Sequence, residues 1–131
     1  MSITAQRSTA GKLAFTLKIG AHSITTDVNA ASGGDDLGPS PHDLFDASLA
    51  ACTALTVKMY AAHKKWPLDD VQVEVARDNS REAAGHYKLT RKVRFTGALD
   101  DAQRARLLEI ANKCPIHKLM HAEIEIVTES V

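Results

Sequence analysis

The sequence predicts an α+β fold with the element order βββ-α-ββ-α-α-β. Three observations support this: a long apolar helical stretch over residues 41–64, alternating segments on both sides of it, and a second helical stretch after Asp100. The 131 residues suffice for one domain with a hydrophobic core but not for two ordinary ones. We therefore expect a single domain over residues 1–131.

The composition is that of a soluble globular protein. Hydrophobic residues make up 44% and charged residues 24%, and 16 Lys plus Arg balance 16 Asp plus Glu. No apolar run approaches the roughly 18 residues that a membrane span needs, and the first ten residues do not resemble a signal peptide. We expect a cytoplasmic protein with neither a nucleic-acid nor a membrane partner.

The strands are predicted from residues that alternate between apolar and polar types. Ala10-Gly11 supplies turn chemistry between the first two strands, and residues 29–40 read as a loop near the functional site, because they are polar and rich in glycine. The predicted strands are residues 3–8, 13–19, 22–28, 71–76 and 87–95, with a last one around Ile124 and Ile126.

The long helix has a clear start and end. Ser40 is a suitable N-cap, Pro41 a suitable first residue, and Asp43 lies in the first turn, where the helix dipole favours an acid. Trp66-Pro67 ends the helix. The apolar residues of this helix lie on two adjoining faces, and a helix apolar over such a wide arc is covered by other elements or by a partner chain. One predicted apolar face contains Leu44, Ser48, Ala51, Leu55 and Met59, and a second contains Phe45, Leu49, Cys52 and Thr56.

A second helix is predicted after Asp100, which is a good capping residue. It ends at Lys113-Cys114, and Pro115 can open a further helical turn through Ala122. Its apolar stripe contains Leu107, Ile110, Ala111 and Cys114.

Two cysteines in a chain with no export signal are expected to be free thiols, a catalytic pair or metal ligands rather than a structural disulfide. Taken alone, Cys52 is compatible with an inert, buried thiol on a helix. Cys114 differs, because the free backbone N–H groups of a helix start can lower the pKa of a thiol there. Since both lie on apolar stripes, we expect Cys52 and Cys114 to face each other as a pair.

Other interpretations of the polar residues remain open. Cys114, His117 and His121 could present zinc ligands on one face, but no fourth ligand is evident. Asp43 is also explained as an ordinary first-turn acid, and Lys12, like Arg7, as an ordinary surface charge.

Both cysteines stand in motifs that resemble those of the OsmC/Ohr family. The helix carries Gly38-Pro39-Ser40-Pro41, Asp43-Leu44 and Ala47-Ser48-Leu49-Ala50-Ala51-Cys52-Thr53-Ala54, and the second motif is Cys114-Pro115-Ile116-His117. Residues 59–61, 65–68, 97–100 and 108–111 are similar as well, so the resemblance to an OsmC-like domain covers nearly the whole chain. It is closest to the less characterised OsmC-like branch.

The resemblance implies a redox function and a dimer. Characterised family members are intertwined homodimers that reduce organic hydroperoxides, and hydrogen peroxide less well, with two sites at the subunit interface. By motif, Cys52 would be the peroxidatic residue and Cys114 the resolving one, cycling through a sulfenic acid and a disulfide. An external dithiol reductant would restore the thiols, and the family needs no metal, haem or flavin.

The resemblance also implies groups that activate the thiol. Efficient members have a glutamate ten residues before the first cysteine, where this chain has His42, and an arginine in the early strands. Asp43 and Lys12 are the candidates for these two roles, and a lysine keeps the charge of the arginine but not its planar fork. The predicted site residues are therefore Cys52, Cys114, Asp43 and Lys12.

Two other functions remain open. One is a binding module that keeps the fold and captures a small apolar or reactive ligand. The other is a thiol redox sensor, in which the Cys52–Cys114 pair cycles without fast turnover of peroxide.

Overall fold

A computed structural model describes all residues from 1 to 131. The chain divides into two compact units, residues 1–46 and 47–131, and the single domain stays a prediction. None of its helices is long and apolar enough to cross a membrane. The elements are β1 (Ile3–Arg7), β2 (Phe15–Ile19), β3 (His22–Thr26), α1 (Pro41–Lys64), β4 (Asp70–Asp78), β5 (Lys88–Thr96), α2 (Asp101–Ala111) and α3 (Pro115–Met120), with 3-10 turns at Ala30–Ser32 and Glu82–Ala84.

The first unit contains a three-stranded antiparallel sheet with β2 in the centre. After β3 the chain enters the predicted loop, which is organised by the buried carboxylate of Asp27. This carboxylate accepts the backbone N–H groups of Val28, Asp35 and Leu37. The loop thus obtains from one side chain the hydrogen bonds that a strand would obtain from a neighbour.

Helix α1 begins where the sequence predicts. The hydroxyl of Ser40 accepts the Asp43 N–H at 3.2 Å, and the Asp43 carboxylate accepts the Ser40 N–H at 2.9 Å, which is a reciprocal capping arrangement. On the first predicted apolar face, Leu55 and Met59 are 63% and 70% exposed, so the chain by itself does not cover this part of the face. The stripe buried within the chain contains Leu49, Thr53, Val57 and Ala61.

In the second unit, helices α1 and α2 share a core with the hairpin of β4 and β5. The two strands pair in register over their whole length, with Val73 opposite Val93. Their apolar side chains are half-buried and alternate with exposed ones, as the sequence predicts. The buried core residues are Val57, Ala61, Leu68, Leu107 and Ala111, and Tyr60, Trp66, Val71, Val93, Phe95 and Leu99 pack against them.

Helix α2 has a complete capping box at its start. The Asp100 carboxylate accepts the Gln103 N–H at 2.7 Å, and the Gln103 side chain accepts the Asp100 N–H at 2.9 Å. The predicted stripe is buried, including Leu107 and Cys114. Since α2 leads directly into Cys114, this cap helps to fix the position of the second cysteine.

The predicted last strand does not form. No strand follows α3, and Ile124 and Ile126 are 60% and 83% exposed. Alternation alone does not make a strand, because a strand also needs a sheet edge that supplies hydrogen bonds. The tail pairs with neither sheet of its own chain.

The cap of α2 gives a first test. Asp100→Ala removes the acceptor for the Gln103 N–H and should lower the free energy of unfolding by about 1 kcal/mol. Asp100→Asn keeps a side-chain oxygen at the N-cap and should lower it less. Urea unfolding followed by circular dichroism measures both, and equal losses in the two variants would contradict the capping role.

Candidate active site

Helix α1 supplies two neighbouring residues to one site. Thr53 is fully buried, whereas Cys52 is half-buried. Successive helical residues differ by about 100° in direction, so the two side chains leave the helix on different sides of the same turn. The Cys52 sulfur lies 3.9 Å from the hydroxyl of Thr56, one turn further along. The more accessible of the two thiols is therefore the one on the central helix.

The second thiol stands at the junction of α2 and α3. Cys114 is the N-cap of α3, with Pro115 in the first turn, and its sulfur accepts the His117 backbone N–H at 3.3 Å. Its side chain is 0% exposed. The prediction that this sulfur meets a free N–H group at a helix start is confirmed.

A guanidinium from β5 joins the elements around Cys114. Arg91 Nη1 donates to Thr53 Oγ1 at 2.9 Å and lies 3.9 Å from Cys114 Sγ. Nη2 donates to Asn112 Oδ1 at 2.8 Å and lies 3.0 Å from His117 Nδ1. These contacts use the fork geometry of arginine, which presents several donors in one plane.

The contacts of Arg91 fix the protonation of its neighbours. A guanidinium only donates, so His117 Nδ1 must accept, and the neutral ring carries its proton on Nε2. Burial lowers the pKa of His117, and the charges of Arg91 and His121 lower it further. Thr53 has one hydroxyl proton, which it can give either to the Leu49 carbonyl oxygen at 2.7 Å or to the Cys114 sulfur at 3.7 Å.

The groups around Cys114 act against the effect of its burial on the pKa of the thiol. Burial raises the pKa of the Cys114 thiol, but hydrogen bonds from the His117 N–H, Thr53 and Cys52 and the positive charge of Arg91 outweigh it. The pKa of Cys114 therefore lies below its ordinary value. Cys52 is near enough to contribute to this lowering, so the two free thiols are neighbours, as expected from the two apolar stripes.

The other two predicted site residues belong to the first unit. The Asp43 carboxylate takes part in the cap of α1 described above. Lys12 lies exposed after the first hairpin turn, and its backbone N–H donates to Asp35 Oδ2 at 2.9 Å. A catalytic role for either residue stays a prediction.

Sequence reasoning missed Arg91, Thr53 and Asn112. A signal for Arg91 was present, since it occupies a position in β5 that is in phase with Leu89 and Val93. A charged residue at an inward position of a strand is rarely buried without partners. Its partners come from distant parts of the chain, and the alternation of residues along a strand does not reveal such partners.

His117 takes part in the site as a partner of Arg91. Its Nδ1 faces the guanidinium, and its ring stacks at a tilt beside that of His121, with 5.2 Å between the centroids. No group of three or more His, Cys, Asp or Glu side chains is arranged to hold a metal ion. The zinc interpretation of Cys114, His117 and His121 therefore gains no support.

Solved structures with the same fold come from several bacteria. The OsmC-like protein from Mycoplasma pneumoniae is 17% identical, with a TM-score of 0.72 over 92% of this chain and 86% of that chain. An organic hydroperoxide resistance protein OsmC from Legionella pneumophila is 22% identical, with a TM-score of 0.63 over 92% and 89%. The organic hydroperoxide resistance protein OhrB of Bacillus subtilis is 23% identical, with a TM-score of 0.59 over 91% and 88%.

These identities are low, so the structural likeness establishes the fold alone. A search of curated protein sequences gave no match. The family described as OsmC-like protein matches residues 33–129, which include both cysteines, Arg91 and the whole of α1, α2 and α3. Since the match spans well over half of its length, the chain belongs to the OsmC-like protein family.

Proposed function

We propose that the protein is a thiol-dependent peroxidase that reduces organic hydroperoxides, and hydrogen peroxide less well, through Cys52 and Cys114. The observation that carries the proposal is the proximity of two free thiols, one on α1 and one at the start of α3. Neighbours of the same fold are named organic hydroperoxide resistance proteins, which supports the same substrate class.

In the proposed reaction, the Cys52 thiolate attacks the terminal oxygen of the hydroperoxide. An S–O bond forms, the O–O bond breaks, and the alkoxide takes a proton and leaves as an alcohol, so that Cys52 becomes a sulfenic acid. Cys52 suits this step because it is the more accessible sulfur. The Cys114 thiolate then attacks the Cys52 sulfur, forming the disulfide and releasing hydroxide, which takes a proton to become water.

The electrons in this cycle come from the thiols, so the proposal includes no metal, haem or flavin. An external dithiol must return the disulfide to two thiols before the next turnover. Reversible thiols are maintained in a reducing compartment, and we place the protein in the cytoplasm for this reason. Asp43 and Lys12 remain the candidates, by resemblance, for polarising the peroxide, and Arg91 is added because it lies beside the sulfur of Cys114.

We also propose that the active form is a homodimer. Leu55 and Met59 stand one turn apart on α1 and are mostly exposed in the single chain. The tail exposes Ile124, Ile126 and Val127 as well. A second copy would bury these apolar side chains, and the gain is roughly 25 cal/mol for each Å² removed from water.

The peroxidase proposal predicts a specific loss of thiols. Reduced wild-type protein treated with cumene hydroperoxide should lose both thiols to a Cys52–Cys114 disulfide, detected by thiol titration and peptide mass spectrometry. Cys114→Ser should accumulate a Cys52 sulfenic acid that dimedone traps, because the resolving thiol is gone. Cys52→Ser should react far more slowly.

No loss of thiols in the wild type, or equal consumption in Cys52→Ser, would contradict the proposal and favour a binding module. Thiol oxidation without sustained turnover in the presence of a dithiol would favour a redox sensor.

The proposed thiolate gives a pH prediction. In Cys52→Ser the remaining thiol is Cys114, whose hydrogen bonds and neighbouring guanidinium keep its pKa low. The far-ultraviolet absorbance of the thiolate should therefore appear at a lower pH in the folded variant than in the same variant unfolded in urea. A folded midpoint equal to or above the unfolded one would contradict the assigned environment.

The same shift predicts a change in stability with pH. Between the folded and unfolded pKa values of Cys114, the unfolded chain binds more protons, so the free energy of unfolding rises with pH across this window. The added stability is lost as the pH falls through the folded pKa. Comparing Cys52→Ser with Cys52→Ser/Cys114→Ser in urea isolates the effect, and a difference that stays constant with pH would count against it.

The dimer is tested by molar mass. Sedimentation equilibrium should give twice the chain mass for the wild type, and Leu55→Glu/Met59→Glu should shift the protein toward the monomer, because charges would be buried on the shared face. Lys88→Glu, an exposed position at the start of β5, serves as the control. A wild-type mass equal to one chain would refute the dimer.

A further inference from the structure

The reduction of the Cys52–Cys114 disulfide has two possible directions. An incoming thiolate attacks one sulfur, and the other departs as a thiolate. The direction depends on the access to each sulfur and on the stability of the departing thiolate. The structure holds both cysteines as free thiols, which is the state that reduction produces.

Access differs between the two sulfurs. Cys114 is 0% exposed, and its sulfur contacts Arg91 and the His117 N–H in the first turn of α3. Cys52 is half-buried on α1 and leaves part of its side chain open to solvent. Attack on Cys114 would require its own chain to open, whereas attack on Cys52 would not.

Stabilisation of the departing sulfur also differs, and in the same direction. The Cys114 sulfur accepts the His117 N–H at 3.3 Å and has Arg91 Nη1 at 3.9 Å, so a backbone donor and a positively charged group face it. The Cys52 sulfur has the neutral hydroxyl of Thr56 at 3.9 Å. Negative charge on sulfur is thus better supported at Cys114.

We propose that the external dithiol attacks Cys52, that the mixed disulfide forms on Cys52, and that Arg91 and the His117 N–H hold Cys114 as the departing thiolate. This inference rests on the proposed function, because it describes the reductive half of the same cycle. It assigns Arg91 a catalytic role through its contact with a reacting sulfur.

The step balances as two thiol–disulfide exchanges. A thiolate of the dithiol forms a bond to Cys52 Sγ, the bond between Cys52 and Cys114 breaks, and its electron pair stays on Cys114. The second thiolate of the dithiol then attacks the dithiol's own sulfur in the mixed disulfide. Cys52 leaves as a thiolate and takes a proton, the protein is reduced, and the dithiol is oxidised to its cyclic disulfide.

The direction of attack can be read from the position of the mixed disulfide. Wild-type protein is oxidised with diamide, freed of it, treated briefly with a small amount of glutathione, quenched with acid and blocked with N-ethylmaleimide. Mass spectrometry of the cysteine peptides should find glutathione on Cys52 and maleimide on Cys114. Glutathione mainly on Cys114 or equally on both would overturn the inference, as would a failure of diamide to join the two sulfurs.

This experiment uses no hydroperoxide, so it separates the inference from the proposed activity. A protein inert to cumene hydroperoxide would still show which sulfur glutathione attacks.

The role of Arg91 is tested on the same oxidised protein. Arg91→Met should slow the release of Cys114 by glutathione about tenfold, because the departing thiolate loses its neighbouring charge, and should raise the pKa of Cys114. Arg91→Lys keeps the charge without the fork and should recover part of the rate. Arg94→Met, an exposed position on the same strand, should match the wild type.

Circular dichroism identifies the variants that are folded, and Arg91→Lys serves as the test where Arg91→Met is not. An unchanged rate and an unchanged pKa of Cys114 in a folded Arg91 variant would overturn the role of Arg91.

Discussion

The guanidinium of Arg91 is the contact on which the geometry around Cys114 depends. A partly buried charge is costly unless its donors are satisfied, and here the acceptors come from three places: Thr53 on α1, Asn112 at the end of α2, and His117 on α3. Because each acceptor belongs to a different segment, one side chain fixes all three segments against β5. The same guanidinium lies beside the sulfur of Cys114. Arg91 therefore both holds these segments together and places a positive charge next to the thiol.

The two thiols experience opposite constraints. Burial alone would make Cys114 a neutral and inert thiol, but the helix start and Arg91 reverse this direction. Cys52 stands one residue from the fully buried Thr53, yet keeps part of its side chain accessible. The site thus combines a reachable sulfur with a sulfur held for negative charge. Such a division suits a cycle in which one thiol meets partners from solution and the other reacts within the protein.

Sequence reasoning succeeded where the signal is local. The start of α1 at Ser40-Pro41, the cap of α2 at Asp100 and the helix junction at Cys114-Pro115 depend on residues three or four apart, and all are present. Arg91 was missed, because alternation shows which face of a strand a residue occupies but not which distant side chains meet it. The motif resemblance selected the cysteines, whereas the groups around Cys114 required the packed structure.

The sequence pattern also did not show which apolar residues of α1 and of the tail are exposed in the chain. Helix α1 was expected to be covered over a wide arc, and its own chain covers the stripe through Leu49, Thr53 and Val57. Leu55 is two residues from both Thr53 and Val57, so it lies about 160° from each around the helix, on the opposite side. A helix apolar on opposite sides cannot be explained by one core, and the alternating tail around Ile124 likewise has no edge in its own chain. Neither pattern is satisfied within the chain, and the second copy proposed above would account for both.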